Sequence, residues 1–285
     1  MGALPTGVEV IAAETDAPVA AEFWVPAFLK REIGSTLFDG MPELRVIQLL
    51  SAGADVWVGR VPPTVTLCDA RGVHSASTSE WAVTAMLSYL RDFPYFARQQ
   101  AKAEWSTRTT GELAGKRVLI VGAGDIGEAI AARLRPFEVS ITRVARSARP
   151  GVHAVSELPA LLPSADVVVL IVPKTSETVG LVDAAFLAAM PDGALLVNAA
   201  RGPVVDTEAL TRELASGRLG AALDVTDPEP LPADHPLWSM PNLLLTPHVA
   251  GSVHGLLPRA YRLVGDQVRR YAAGEPLINQ VAGEY

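Results

Sequence analysis

The sequence predicts an α/β fold with doubly wound parallel sheets, divided between two domains. Three observations carry that expectation. Short apolar runs alternate with segments of helical spacing along most of the chain. Several of the runs, such as ADVVVLIVP (165–173), are near-continuously apolar, as strands buried on both faces are. One of them, KRVLIVGAG (116–124), enters a glycine-rich turn and is followed at once by a helical pattern.

The elements follow in order. VEVIAAE (8–14) reads as a strand and PVAAEFWVPAFLK (18–30) as an amphipathic helix. LRVIQLL (44–50) and VTL (65–67) are two further strands. TSEWAVTAMLSYL suits a helix from Thr78 to about Leu90, with hydroxyls at Ser77 to Ser79 for its cap and Glu80 in its first turn. After the glycine-rich turn, DIGEAIAARLR (125–135) has helix spacing, and Pro136 closes it before the strand EVSITRV (138–144). ALLVNAA (194–200) and LGAALDV (219–225) repeat the buried-strand pattern around the helix DTEALTRELASG (206–217), which a glycine stops. NLLLTPH (242–248) is the last strand. A final helix runs from about Ser252 to Ala272, with Pro258 restricting or kinking its early part. The expected domains are 1–88 with 252–285, and 89–251.

Composition narrows the class. The 285 residues are 49% apolar and 19% charged, which excludes wholesale disorder. With 24 basic and 31 acidic residues the net charge is −7, which argues against a nucleic-acid partner. The single cysteine, Cys68, excludes an internal disulfide framework and a cysteine-cluster metal site, and fits a reducing, cytoplasmic setting. No metal site is expected from His and Asp spacing either. No 18-residue apolar run predicts a membrane span, and the opening MGALPTGVEV lacks the basic-then-apolar pattern of a signal peptide.

The sharpest motif is Gly122-Ala123-Gly124-Asp125-Ile126-Gly127, a GxGxxG between a strand and a helix. Gly122 permits the tight turn, Gly124 lets a pyrophosphate approach the backbone, and Gly127 permits close helix–sheet packing. The N–H groups at the helix start, from Asp125 and Ile126 onward, suit a phosphate. A merely structural turn is the competing reading. An NAD site carries an acid at the end of the second strand, and Thr142-Arg143-Val144-Ala145-Arg146 has none. Arg143 and Arg146 instead suit a 2′-phosphate, which favours NADP(H) over NAD(H); two solvated arginines are the plainer alternative. Arg149, in the exposed turn RSARPG (146–151), is a weaker, solvent-facing candidate. The loop Val172-Pro173-Lys174-Thr175 follows a buried strand and is expected near the nicotinamide half, with Thr175 or Thr178 capping the next turn.

Three more strand ends carry Arg201, Glu229 and His248. An arginine can hold the carboxylate of a 2-oxo acid with two parallel bonds. A histidine can give a proton to an alkoxide as hydride reaches the carbonyl carbon, and a carboxylate beside it keeps it oriented and charged. The alternative is a structural Arg201–Glu229 ion pair with His248 as a strand cap.

The order and spacing of these pieces resemble the D-isomer-specific 2-hydroxyacid dehydrogenase family. The resemblance runs through VIQLLSAGAD (46–55), RGVHSASTSEWAV (71–83), the stretch leading to Trp105, LAGKRVLIVGAGDIG (113–127), LPALLPSADVVVLIVPKTSETVGLVD (158–183), LLVNAARGPVVDTEAL (195–210) and AALDVTDPEPLPADHPLWSMPNLLLTPHVAG (221–251), nearly the entire chain. It implies two Rossmann-like domains, a cofactor domain inserted into a smaller substrate domain, with catalysis in the cleft between them. It also implies Arg201 as the catalytic arginine, His248 as the acid/base, and Glu229 as its carboxylate. Asp224 falls on a family acid near the cofactor, with a nicotinamide-side or structural role. Ser51-Ala52-Gly53 falls on the substrate-carboxylate loop, and Arg71 and His74 border the cleft. Homodimers joined through the cofactor domains are the family's usual assembly. Two departures stand out. The family's glycine between the helix and the second strand is missing around Pro136-Phe137-Glu138, and the acidic NAD determinant is absent. The expected activity is hydride transfer between NADP(H) and a small 2-oxo or 2-hydroxy acid. The alternative is a non-catalytic dinucleotide-sensing or corepressor protein on the same fold.

Overall fold

The computed structural model describes residues 1–12, 20–28 and 37–283. The chain divides into two compact units: Met1–His74 together with Val253–Tyr285, and Ser75–Ser252.

The first unit opens on a three-stranded parallel sheet, β1 (Phe23–Trp24), β2 (Val46–Gln48) and β3 (Thr66–Cys68), in the order β1-β2-β3. The strand expected over 8–14 is absent from residues 8–12, and 13–14 lie outside the described residues. The helix expected over 18–30 is not formed across 20–28, and its two ends lie outside the described residues. The reason is packing. Phe23 and Trp24 are neighbours that serve opposite faces, Phe23 against the cluster of Leu50, Ala70 and Val73, Trp24 against that of Leu44, Ile47 and Trp57. That alternation is a strand's period and not a helix's. Cys68 is fully buried, and desolvation pushes its thiol up to about 11.

The second unit begins with α1 (Ser75–Leu90) and α2 (Phe93–Ala101). The sequence division at 88/89 falls inside α1, whose Ala82, Val83, Ala85 and Met86 pack with Val118, Ile120 and Ile130 of the same unit. The helix starts three residues before Thr78, so Ser77–Ser79 are interior and do not cap it. Instead the Ser79 hydroxyl donates back to the carbonyls of Ser75 and Ala76.

There follow β4 (Arg117–Val121), α3 (Asp125–Leu134), β5 (Ser140–Ala145), β6 (His153–Ala154), α4 (Leu158–Leu161), β7 (Val167–Leu170), α5 (Ala184–Ala189), β8 (Leu195–Asn198), α6 (Thr207–Ser216), β9 (Gly220–Leu223) and β10 (Leu243–Leu245). The seven strands form one wholly parallel sheet in the order β10-β9-β8-β7-β4-β5-β6. The order reverses between β4 and β7, which is where an open α/β sheet leaves a crevice for ligands. Leu119 and Val121 face one core with α4, α5 and α6, while Val118 and Ile120 face the other with α1 and α3. Both faces are therefore covered, which is why these strands read as continuous apolar runs. Glu138 takes the left-handed conformation (φ 57°) where the family's glycine was missed, and β5 pairs in register with β4, Arg117 opposite Ser140.

The chain ends in α7 (Leu256–Ala272), which belongs to the first unit. Its Leu256, Ala260 and Val264 complete the cluster of Leu50, Ala70 and Val73. Pro258 falls in its first turn, where an N–H has no helical partner to lose, so no kink is required. Among the described residues no helix is long and apolar enough to cross a membrane.

Candidate active site

The glycine-rich turn joins β4 to α3 and fits a dinucleotide. Gly122 has φ 118°, a conformation closed to most side chains, and a Cβ there would press on the Ile171 carbonyl. A Cβ at Gly127 would overlap the Gly122 carbonyl oxygen, so helix and turn pack too closely for any other residue. A Cβ at Gly124 would meet nothing within 4 Å, so open space lies over it. Gly124 caps α3 without a side-chain bond, and Asp125 and Ile126 begin the helix there. Close backbone, open space and an uncapped helix start suit a pyrophosphate.

The arginines of the next strand end divide. Arg143 lies within β5, and its Nη1 donates to both carboxylate oxygens of Glu128 (2.8 and 2.6 Å). Its Nη2 donates to the Gly151 carbonyl. The acid on α3 and the carbonyl across the turn hold it. Arg146, the residue after β5, forms an ion pair with Glu177 at 2.9 Å. Arg149, expected to face solvent, donates to the Ala123 carbonyl of the glycine-rich turn at 2.6 Å. Sequence spacing alone does not signal that contact, because it joins residues 26 apart through the fold.

The loop after β7 is braced internally. The Thr178 hydroxyl donates to the Pro173 carbonyl (2.6 Å) and accepts from the Thr175 N–H (2.8 Å). Its far end, Glu177, meets the β5 side.

The chemistry-bearing residues follow β8, β9 and β10, whose last residues Asn198, Leu223 and Leu245 are register partners. Arg201 comes three residues after Asn198, and Asn198 fixes its bend. The Asn198 side chain donates to the Arg201 carbonyl (3.1 Å) and accepts from the Ala200 N–H (3.0 Å). A Cβ at Gly202 would overlap the Thr226 carbonyl oxygen, so the arginine's turn lies directly against the loop that carries Glu229. Thr207 and Thr226 hold that loop through the carbonyls of Asp227 and Pro228.

His248 and Glu229 meet. The histidine Nδ1 lies 2.8 Å from Glu229 Oε1, and both side chains are partly buried. An ionised carboxylate only accepts, so Nδ1 carries a proton and Nε2 is left for other partners. His248 has φ 55°, and its N–H donates to the Asp224 carbonyl (2.7 Å).

Asp224, expected among the cofactor ligands, spends its carboxylate on this turn. It accepts from Thr246 Oγ1 (2.7 Å), Val249 N–H (2.8 Å) and Ala250 N–H (2.9 Å). Thr246 in turn accepts from the Trp81 indole (3.1 Å). The indole therefore braces the histidine's turn through Thr246, a contact that sequence spacing does not signal because it joins residues 165 apart.

Ser51, Ala52 and Gly53 lie in the first unit, in the turn after β2, where the Ser51 hydroxyl donates to the Gly53 carbonyl (2.9 Å). The neighbouring turn is tied to it, Ala70 N–H donating to the Ser51 carbonyl (2.9 Å). His74 makes a supporting bond, with Nε2 2.8 Å from the Leu50 carbonyl, and stacks on Phe28.

Comparison with known proteins gives the family. The family model "D-isomer specific 2-hydroxyacid dehydrogenase, NAD binding domain" matches residues 83–250. A glyoxylate reductase of Thermofilum pendens is 35% identical over 248 residues, 79% of this chain and 70% of the relative. A D-isomer specific 2-hydroxyacid dehydrogenase of Xanthobacter autotrophicus, solved with NADPH, superposes with a TM-score of 0.80 at 34% identity, covering 95% of this chain and 86% of its own. An NADPH-dependent glyoxylate/hydroxypyruvate reductase of Sinorhizobium meliloti, solved with NADP and sulfate, gives a TM-score of 0.81 at 30% identity, covering 94% and 86%. The chain therefore belongs to the D-isomer specific 2-hydroxyacid dehydrogenases, oxidoreductases that move a hydride between a pyridine nucleotide and a small 2-hydroxy or 2-oxo acid.

Proposed function

We propose that this protein reduces small 2-oxo acids with NADPH, with Arg201, Glu229 and His248 as its catalytic residues. The observation that carries the reading is the 2.8 Å bond between His248 Nδ1 and Glu229, set at the strand ends beside the turn of Arg201. A reduced nicotinamide, when bound, would supply the hydride. Gly122, Gly124 and Gly127, with the N–H groups of Asp125 and Ile126, hold the pyrophosphate. Pro173 and Thr178 shape the loop over the crevice. Arg146 receives the 2′-phosphate, and Arg143 and Arg149 hold its turn in place. Arg201 grips the substrate carboxylate with its planar fork and polarises the keto oxygen. Ser51, Ala52 and Gly53 form the second carboxylate-binding loop that the resemblance implies. Glu229 orients the ring so that His248 Nε2 delivers the proton as the alkoxide develops. Asp224 acts through the histidine's turn.

Glyoxylate and hydroxypyruvate are the first substrates to try, since relatives named for them match the chain. The same reading carries a homodimer and a cytoplasmic location. Sedimentation of the purified protein tests the first.

Initial rates of NADPH and NADH oxidation over a panel of 2-oxo acids test the activity. Turnover that prefers NADPH is expected. His248→Ala should cost about 10²- to 10⁴-fold in kcat while nucleotide affinity stays near native. A histidine variant with native turnover overturns the assignment. An NADH preference overturns the role of Arg146 alone. Silence with both nucleotides, despite binding, returns the binding-only alternative.

A further inference from the structure

The ion pair between Arg146 and Glu177 stands in an unusual place. β5 and β7 flank β4, and β4 lies at the reversal of strand order. Arg146 directly follows β5, and Glu177 lies in the loop after β7. Their contact, at 2.9 Å, therefore runs past the C-terminal end of β4, at the crevice edge. Both side chains are largely exposed, 66% and 63%. An ion pair so exposed holds weakly.

The loops that carry the pair are tied down by hydrogen bonds of their own. The arginine's turn is pinned by Arg149 to the Ala123 carbonyl and by Arg143 to the Gly151 carbonyl. Arg149 and Val152 also exchange main-chain bonds. The glutamate's loop is braced by Thr178. Breaking the pair thus asks for two side-chain rotations and no backbone change. A phosphate dianion offers the guanidinium more charge and more acceptor oxygens than a carboxylate does.

We propose that Glu177 is an internal competitor for Arg146: it occupies the arginine at the crevice edge until a 2′-phosphate displaces it, and so sets how strongly phosphorylated nucleotides are preferred. The inference rests on the reading of Arg146 as the 2′-phosphate ligand. Nucleotides without that phosphate leave the pair intact and gain nothing from its removal.

Calorimetric titration with 2′,5′-ADP and with 5′-ADP tests this without turnover. Glu177→Gln should bind 2′,5′-ADP about three- to fivefold more tightly than the native protein, with 5′-ADP affinity unchanged. Glu177→Ala should do the same, which separates loss of charge from any new amide contact. Unchanged 2′,5′-ADP affinity in both variants overturns the proposal, as does an equal shift for both ligands. Arg146→Ala separates the two layers of the argument. If the native protein prefers 2′,5′-ADP and Arg146→Ala abolishes that preference, silence of both Glu177 variants sinks only the competitor role. If the native protein shows no preference for 2′,5′-ADP, the phosphate reading of Arg146 falls and the competitor role falls with it.

Discussion

His248 is held in a conformation that its own backbone disfavours, and Asp224 is the residue that holds it. A left-handed φ of 55° costs a non-glycine residue about 1–2 kcal/mol. Against this stand three bonds to a buried carboxylate, from Thr246, Val249 and Ala250, each charge-assisted and worth about 1.5–3 kcal/mol. The bonds outweigh the strain, so the turn keeps the imidazole against Glu229. Asp224→Ala would leave the Val249 and Ala250 N–H groups without their acceptor. We expect a loss of about 2–4 kcal/mol in a urea titration and a fall in kcat, although neither Glu229 nor His248 is altered. Asp224→Asn, which keeps one acceptor oxygen, should fall between. A native unfolding midpoint with native kcat in Asp224→Ala would show that the turn stands without the carboxylate.

At the scale of elements, Glu138 shows how the fold absorbs a departure from the family pattern. The chain must reverse between α3 and β5, and Glu138 does so at φ 57° while its carbonyl accepts from the Gly115 N–H. Glu138→Gly should remove the steric penalty and keep that bond. The glycine's extra freedom in the unfolded chain offsets part of the gain, so a stabilisation of about 0.5–1 kcal/mol is expected in thermal unfolding. A lower melting temperature would mean that the glutamate side chain contributes more than the conformation costs. The same contrast explains what was legible in the sequence. β4, β7, β8 and β9 were legible because burial on both faces writes an unbroken apolar run. The candidate trio was legible because Arg201, Glu229 and His248 each follow such a run. β1 was not, since two residues carry too short a period to compete with the helical pattern around them. Nor was the short α5, whose six residues are mostly alanine. The contacts of Arg149, Glu177 and Thr246 were not legible, because each joins a partner distant in sequence, 22 residues or more away.

For the whole molecule, the two units differ in how they depend on chain continuity. Ser75–Ser252 is one unbroken segment, and every buried residue of its two cores lies within it. The first unit is interrupted. Leu50, Ala70 and Val73 are covered by Leu256, Ala260 and Val264 from the far end of the chain, and Gln267 of α7 donates to Gln48 of β2. An isolated 75–252 fragment should therefore unfold cooperatively and bind 2′,5′-ADP, since the glycine-rich turn, Arg146 and their braces are all inside it. On the proposed role of Ser51–Gly53 as a carboxylate-binding loop, it should not turn over 2-oxo acids, since those residues lie outside it. The 1–74 fragment should stay unfolded, because its share of the core loses the face of α7. Circular dichroism melts of both fragments, with nucleotide titration of the larger one, check this. A 75–252 fragment that folds but fails to bind nucleotide would mean that the nucleotide site needs residues from the first unit. A 1–74 fragment that folds alone would mean that α7 adds to a core already complete without it.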